Sequence, residues 1–76
     1  MRLKENTDLI EFIKTTKKCR QDVFFRTAEG DRLNLKSTLS QYLFSVMSGN
    51  RELLENGEIE CQEAADYQML EGYLRT

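Results

Sequence analysis

Histidine is absent from all 76 residues, and so are proline and tryptophan. Without imidazole the chain has no side chain that ordinarily titrates near neutral pH, no histidine to carry a phosphoryl group and no nitrogen ligand for zinc. Cysteine is scarce. Cys19 and Cys61 are too few for a secreted disulfide framework or a closed zinc site, and they do not form a CxxC pair. They read as two reduced thiols serving as small hydrophobes, with redox sensing as the minority alternative. No apolar run approaches the ~20 residues that cross a bilayer. The start, Met1-Arg2-Leu3-Lys4-Glu5, has no apolar h-region. The expected location is therefore the cytoplasm, with no membrane partner. Neither charge sign dominates: 11 basic and 13 acidic residues give a net charge of -2. That is not the balance of a nucleic-acid binder, so no nucleic acid is expected as a partner. Paired catalytic carboxylates, a serine–base arrangement, a glycine-rich phosphate loop and metal-ligand spacing are all missing. The expectation is a protein that is not an enzyme and needs no cofactor or metal.

The 76 residues suffice for one domain with a modest core. Met1 to Lys4 is a candidate strand with Leu3 inward. Asn6-Thr7 offers an N-cap. From Asp8 to about Cys19, Leu9, Phe12, Ile13 and Thr16 recur at helical spacing. Asp8 and Glu11 lie early and Lys14, Lys17 and Lys18 late, which complements the helix dipole. Gln21 to Thr27 alternates as a strand, with Val23 and Phe25 on one side and Phe24 on the other. Ala28-Glu29-Gly30-Asp31 is a hairpin turn. Arg32 to Lys36 returns with Leu33 and Leu35 inward and Arg32 and Asn34 outward. This alternation predicts a sheet with one buried and one wet face.

Leu39, Tyr42, Leu43, Val46 and Met47 then make an apolar stripe at i, i+3, i+4, i+7 and i+8. It predicts a second helix packed through Leu39 and Leu43. Thr38 and Gln41 have capping-box spacing, with Ser37 as a rival N-cap. The helix should end near Ser48-Gly49. Arg51 to Glu55 adds a helical turn with Leu53 and Leu54 inward, and Asn56-Gly57 is a turn. Glu58 to Gln62 is a strand with Ile59 and Cys61 inward. Ala64 to Leu74 is an amphipathic helix carrying Met69, Leu70 and Tyr73, weakened at Gly72 by about 1 kcal/mol. The class is α+β in the order β-α-β-β-α-β-α, an open-faced sandwich with helices on one face of a small antiparallel sheet. A ferredoxin-like split βαβ unit has compatible periodicity.

The local sequence resembles HPr, the phosphocarrier of the sugar phosphotransferase system. Glu11-Phe12-Ile13-Lys14 is similar to the family's first-helix pattern. Gln21-Asp22-Val23 through Asn34-Leu35-Lys36-Ser37 is similar to its central hairpin and the run into the second helix. The resemblance covers most of Asp8 to Gln62. In Gram-positive HPr and its homologue Crh, a lysine–serine pair stands at this place, and the serine is the target of HPr kinase/phosphorylase. Ser37 is the matching position. The departures matter as much. The family's Gly-x-His-x-Arg-Pro loop shrinks here to about Glu5-Asn6-Thr7, without histidine, arginine or proline. The Ser48 to Gly57 connection is longer than the family's usual link. Crh also lacks the histidine. The resemblance therefore implies a bacterial, non-phosphocarrier relative with a regulatory or protein-binding role in carbon-source control. HPr kinase/phosphorylase or a transcriptional regulator would be its partner, and a homodimer is an option. The alternative is a small interaction module on an HPr-like or ferredoxin-like scaffold, unrelated to sugar uptake.

Five residues stand out on this reading. Ser37 is either a regulatory phosphosite, where phosphate would meet the favourable end of a helix, or a plain N-cap. Leu39 and Tyr42 follow it as apolar docking residues. Phe24, on the wet sheet face, and Phe44, off the main stripe, are partner anchors or ordinary surface aromatics. The run Lys14, Lys17, Lys18 and Arg20 reads as a solvated helix end. The acidic stretch Glu52, Glu55, Glu58, Glu60 and Glu63 reads as a wet surface.

Overall fold

The computed structural model describes residues 1–47 and 49–75, with the main chain alone at Leu43, Met47 and Arg51. The elements run β1 (Arg2–Leu3), α1 (Leu9–Thr16), β2 (Val23–Arg26), β3 (Arg32–Asn34), α2 (Thr38–Met47), α3 (Arg51–Glu55), β4 (Glu58–Cys61), α4 (Ala64–Leu70), a 3-10 turn (Glu71–Tyr73) and β5 (Leu74–Arg75). The α+β class holds. The pairing is antiparallel throughout, in two sheets ordered β3-β2-β4 and β1-β5. Met1 joins them edge to edge: Ile59 N–H donates to the Met1 carbonyl at 2.6 Å, and the Met1 ammonium donates to the Ile59 carbonyl at 3.5 Å.

Most boundaries follow from local chemistry. Asp8, rather than Asn6 or Thr7, caps α1. Its carboxylate accepts from Ile10 N and Glu11 N, both at 3.1 Å. Thr7 Oγ1 instead donates to the Lys4 carbonyl at 2.6 Å, and Asn6 takes a positive φ of 60°. The β2–β3 turn closes as expected. Gly30 adopts φ 100°, which a side chain would resist, and Thr27 N–H reaches the Asp31 carbonyl at 2.8 Å. Asn50 caps α3 through Leu53 N at 3.1 Å.

The C-terminal end departs from expectation. The helix expected to reach Leu74 stops at Leu70, and the chain turns through Glu71–Tyr73 into a strand. Leu74 pairs with Leu3, and both are buried. Leu74 covers more apolar surface as a strand partner than it would at a fraying helix end.

The core lies on the expected face of the sheet. Val23, Phe25, Leu35 and Ile59 are fully buried there, with Leu33 and Cys61 partly buried beside them. Phe12 of α1, Phe44 of α2 and Leu70 of α4 cover them. Three phenylalanines make the centre. Phe25 and Phe44 meet edge-on at 5.2 Å between ring centres, and Phe12 and Phe44 at 6.2 Å. Tyr73 closes this cluster against Phe12 at 5.7 Å. Gly57 lets β4 start against the Phe25 ring, because any Cβ there would collide with it.

Helix α2 is rotated from its expected phase. Phe44 faces inward, while Leu39, Tyr42 and Val46 face solvent at 68%, 66% and 64% exposure. Leu39 therefore does not pack on the sheet as expected. Leu43, Met47 and Ser48 carry the other half of that expectation and lie outside the described residues or side chains. The physical reason for the rotation is the aromatic pocket formed by Phe12 and Phe25. It buries a whole phenylalanine ring, which a stripe centred on Leu39 would leave in water.

Candidate functional site

Ser37 sits between β3 and α2, held by its neighbours' hydrogen bonds. Asn34 Oδ1 accepts from Lys36 N at 3.0 Å and the Asn34 carbonyl from Ser37 N at 3.0 Å, which fixes the turn. The Ser37 carbonyl takes the first helical bond, from Gln41 N at 2.9 Å. Ser37 therefore occupies the N-cap position. Its exposed hydroxyl, however, makes no hydrogen bond among the described residues. The capping box expected for Thr38 and Gln41 does not form either. Gln41 Nε2 donates to the Leu35 carbonyl at 2.9 Å. Lys36, the partner residue in the lysine–serine pair, turns away from Ser37 and donates to the Cys19 carbonyl.

Leu39 and Tyr42 come next on the outer face of α2, with Val46 one turn further. The three stand at i, i+3 and i+7 of a ten-residue helix that has no charged residue. Beside them a groove of about 290 Å³ runs between α1 and α2. Phe44 and Ile13 line it, and Ile10, 70% exposed, stands at its edge. Ser37 thus stands just before α2, and Leu39 and Tyr42 stand on its exposed side.

The other two aromatic candidates do not join them. Phe44 is fully buried and cannot anchor a partner; its place off the stripe is the inward place. Phe24 is on the opposite side of the molecule, on the open sheet face, as its strand phase predicts. It is half-buried, with the Arg32 guanidinium carbon 4.2 Å from its ring centre.

The open sheet face is more organised than a wet surface. Glu60 Oε1 lies 3.6 Å from Arg26 Nε and 3.7 Å from Arg32 Nε. Glu58 pairs with Arg2 Nε at 3.4 Å and with the Met1 ammonium at 2.9 Å. The ammonium's hydrogen bond holds the Glu58 carboxyl below its usual value, with Arg2 acting in the same sense. Glu63 lies 3.8 Å from Arg20. The Lys14–Arg20 run is exposed, with Lys14 3.7 Å from Glu11.

Asp66 had no signal in the periodicity. It sits in the first turn of α4, buried, and accepts from Arg20 N at 2.9 Å and Gln21 N at 3.0 Å. These two backbone donors hold its carboxyl below the usual range, Arg20 N first. It ties the loop after α1 to α4. An acidic residue near a helix start was the available hint, but the donors are 45 and 46 residues away in sequence. Burial pushes both thiols up, Cys61 to about 11. At neutral pH they are protonated and poor nucleophiles. Among the described residues no group of histidine, cysteine, aspartate and glutamate could hold a metal, and no helix is long and apolar enough to cross a membrane. No protein-family model, no curated protein and no solved structure matches the chain.

Proposed function

We propose that this chain is a non-catalytic, HPr-like binding module. It docks a protein partner on the exposed face of α2, and the modification state of Ser37 controls that docking. The observation that carries the reading is the outer face of α2. Leu39, Tyr42 and Val46 are about two-thirds exposed on an uncharged helix, which is a cost unless a partner covers them. The start of α1 supports the non-phosphocarrier part. Backbone donors at a helix N-terminus are what a phosphorylated side chain there would need. Here the Asp8 carboxylate already occupies Ile10 N and Glu11 N. Ser37 supports the regulatory part. Its hydroxyl is exposed and, among the described residues, unengaged, at the N-cap five residues before Tyr42. A phosphate would add about -1.5 to -2 charges at the favourable end of α2.

On this reading the partner belongs to the sugar phosphotransferase network of a bacterial cytoplasm, with HPr kinase/phosphorylase as the first candidate. The test is direct. Incubated with that kinase and ATP, the protein should gain the mass of one phosphate, and Ser37→Ala should gain none. Tyr42→Asp should weaken kinase binding at least ~10-fold, about 1.4 kcal/mol. Absence of both effects overturns the phosphotransferase assignment. The second reading is self-association through the same face, outside sugar uptake. It is favoured by the lack of charge on α2, since two copies meeting across a two-fold axis would bring no like charges together. Sedimentation of the protein against Tyr42→Asp separates the two.

A further inference from the structure

The opposite side of the molecule, the sheet face that no helix covers, carries a second feature. Arg32 and Arg26 are direct cross-strand partners, and Arg26 is also opposite Glu58. Glu58 lies against Arg2, and Arg2 is directly opposite Arg75. One residue from each of β3, β2, β4, β1 and β5 therefore forms a single line across both sheets: Arg32, Arg26, Glu58, Arg2, Arg75. At the usual spacing of about 4.8 Å between strands, the line spans ~19 Å.

This line is poor design for stability. Like charges directly opposite each other on a sheet are unfavourable, and it contains two such pairs. Internal carboxylates do not balance it. Glu60 is shared by Arg26 and Arg32 at distances longer than a hydrogen bond, and its Oε1 has no hydrogen-bond partner. Among the described residues Arg75 makes no ion pair. The face holds four arginines against two glutamates. The whole chain has 11 basic and 13 acidic residues, so seven and eleven remain elsewhere. An acidic protein has thus gathered four of its six arginines on one open face. None of its five lysines lies within one of the five strands.

We infer that this arginine line is a binding surface for single-stranded nucleic acid laid across the strands. A linear polyanion matches four arginines set on four of the five strands, with Glu58 of β4 between them. Arginine, rather than lysine, presents a planar fork of donors suited to phosphate oxygens. The guanidinium of Arg32, backed by the Phe24 ring, is a flat plate of the kind on which bases stack. An acidic peptide would use the charges and gain nothing from that plate. The net charge of the chain argued against nucleic acid only because it averages over two unlike sides.

The experiment is fluorescence anisotropy of the intact protein with a labelled oligouridylate of about eight nucleotides, titrated between about 50 and 200 mM salt. Four phosphate contacts predict a slope of log K against log salt of about -3, at roughly 0.7 per contact for single strands. Arg26→Gln with Arg75→Gln should reduce the slope to about -1.4. Lys14→Gln with Lys17→Gln removes two cations from α1 and its end and should leave it unchanged. Circular dichroism confirms that each variant is folded. All four arginines lie on strand surfaces, and replacing two of them relieves repulsion. Three results overturn the proposal: no binding at the lowest salt, equal slope changes from both double variants, or tighter binding of a labelled oligoglutamate of equal charge.

Discussion

Helices α1 and α2 cover the same sheet face and treat water differently. α1 buries Phe12 and Thr16 and turns Glu11 and Lys14 outward, with Lys17 at its end. α2 buries Phe44 and turns Leu39, Tyr42 and Val46 outward, with no charge on any of its ten residues. α1 also leaves one apolar residue in water, Ile10 at 70% exposure, but Glu11 and Lys14 still fix which side faces outward. α2 is apolar on more than one side, so its orientation is decided by what it packs against. The contrast points to where function is found. An apolar residue that packing has left in water, on a helix otherwise able to face either way, is a better docking candidate than one chosen by its place on a helical wheel.

The buried side of α2 carries the largest expected effect. Phe44→Ala should cost about 3–5 kcal/mol, as core phenylalanine truncations do. A domain of this size has of order 5–10 kcal/mol in total. Urea unfolding should therefore find the variant barely folded. A loss below about 1 kcal/mol would mean that α2 can roll to its other face. Gly57→Ala comes next. It drives a methyl group into the Phe25 ring that supports Phe44, and overpacking of this kind costs about 1–3 kcal/mol. Thermal unfolding checks it, and an unchanged midpoint would show that the ring has room to move.

The third prediction concerns the tie between α1 and α4. The carboxyl of Asp66 is held below its ordinary value of 3.8 when folded. As pH falls, the unfolded chain takes up the proton first. The stabilisation is thus complete above about pH 4 and is lost as pH drops through the folded value. Stability measured against pH should fall on the acid side, and Asp66→Asn should flatten that fall while lowering stability at neutral pH. An acid limb identical in the two proteins would remove Asp66 from the account. Glu58, also lowered, adds a residual slope in both.

Substitutions on the outer face of α2 should have little effect on stability. Leu39→Ser and Tyr42→Ser should each change stability by no more than about 0.5 kcal/mol, since exposed positions away from special features are near neutral. Ser37→Ala should do the same, below the ~1 kcal/mol of a true N-cap, because the hydroxyl caps nothing here. Near-neutral stability joined to lost partner binding is the signature expected of this face. A large loss of stability at Leu39 would return it to the core.

The sequence by itself determined a good deal. Alternation at Val23, Phe25, Leu33 and Leu35 set the buried face of the hairpin, because the period of a strand is two and cannot be shifted without exposing every apolar residue on it. The wet position of Phe24 and Arg32 came from the same rule. Gly30 marked the turn. The run of Leu9, Phe12, Ile13 and Thr16 set α1. The absence of histidine removed phosphohistidine chemistry outright.

The rest belonged to the tertiary structure. The wheel of α2 pointed Leu39 and Leu43 inward, and the rings of Phe12 and Phe25, distant in sequence, turned Phe44 inward instead. Leu74 read as helical until Leu3 was beside it. The donors of Asp66 are supplied by a loop far back along the chain. The arginine line needed strand order, which no local pattern contains: Arg2, Arg26, Arg32 and Arg75 are scattered along the chain and become neighbours only when β1 joins β4 and pairs with β5. Local periodicity records which side of an element avoids water. It does not record what stands opposite, and packing partners and charge alignment depend on that.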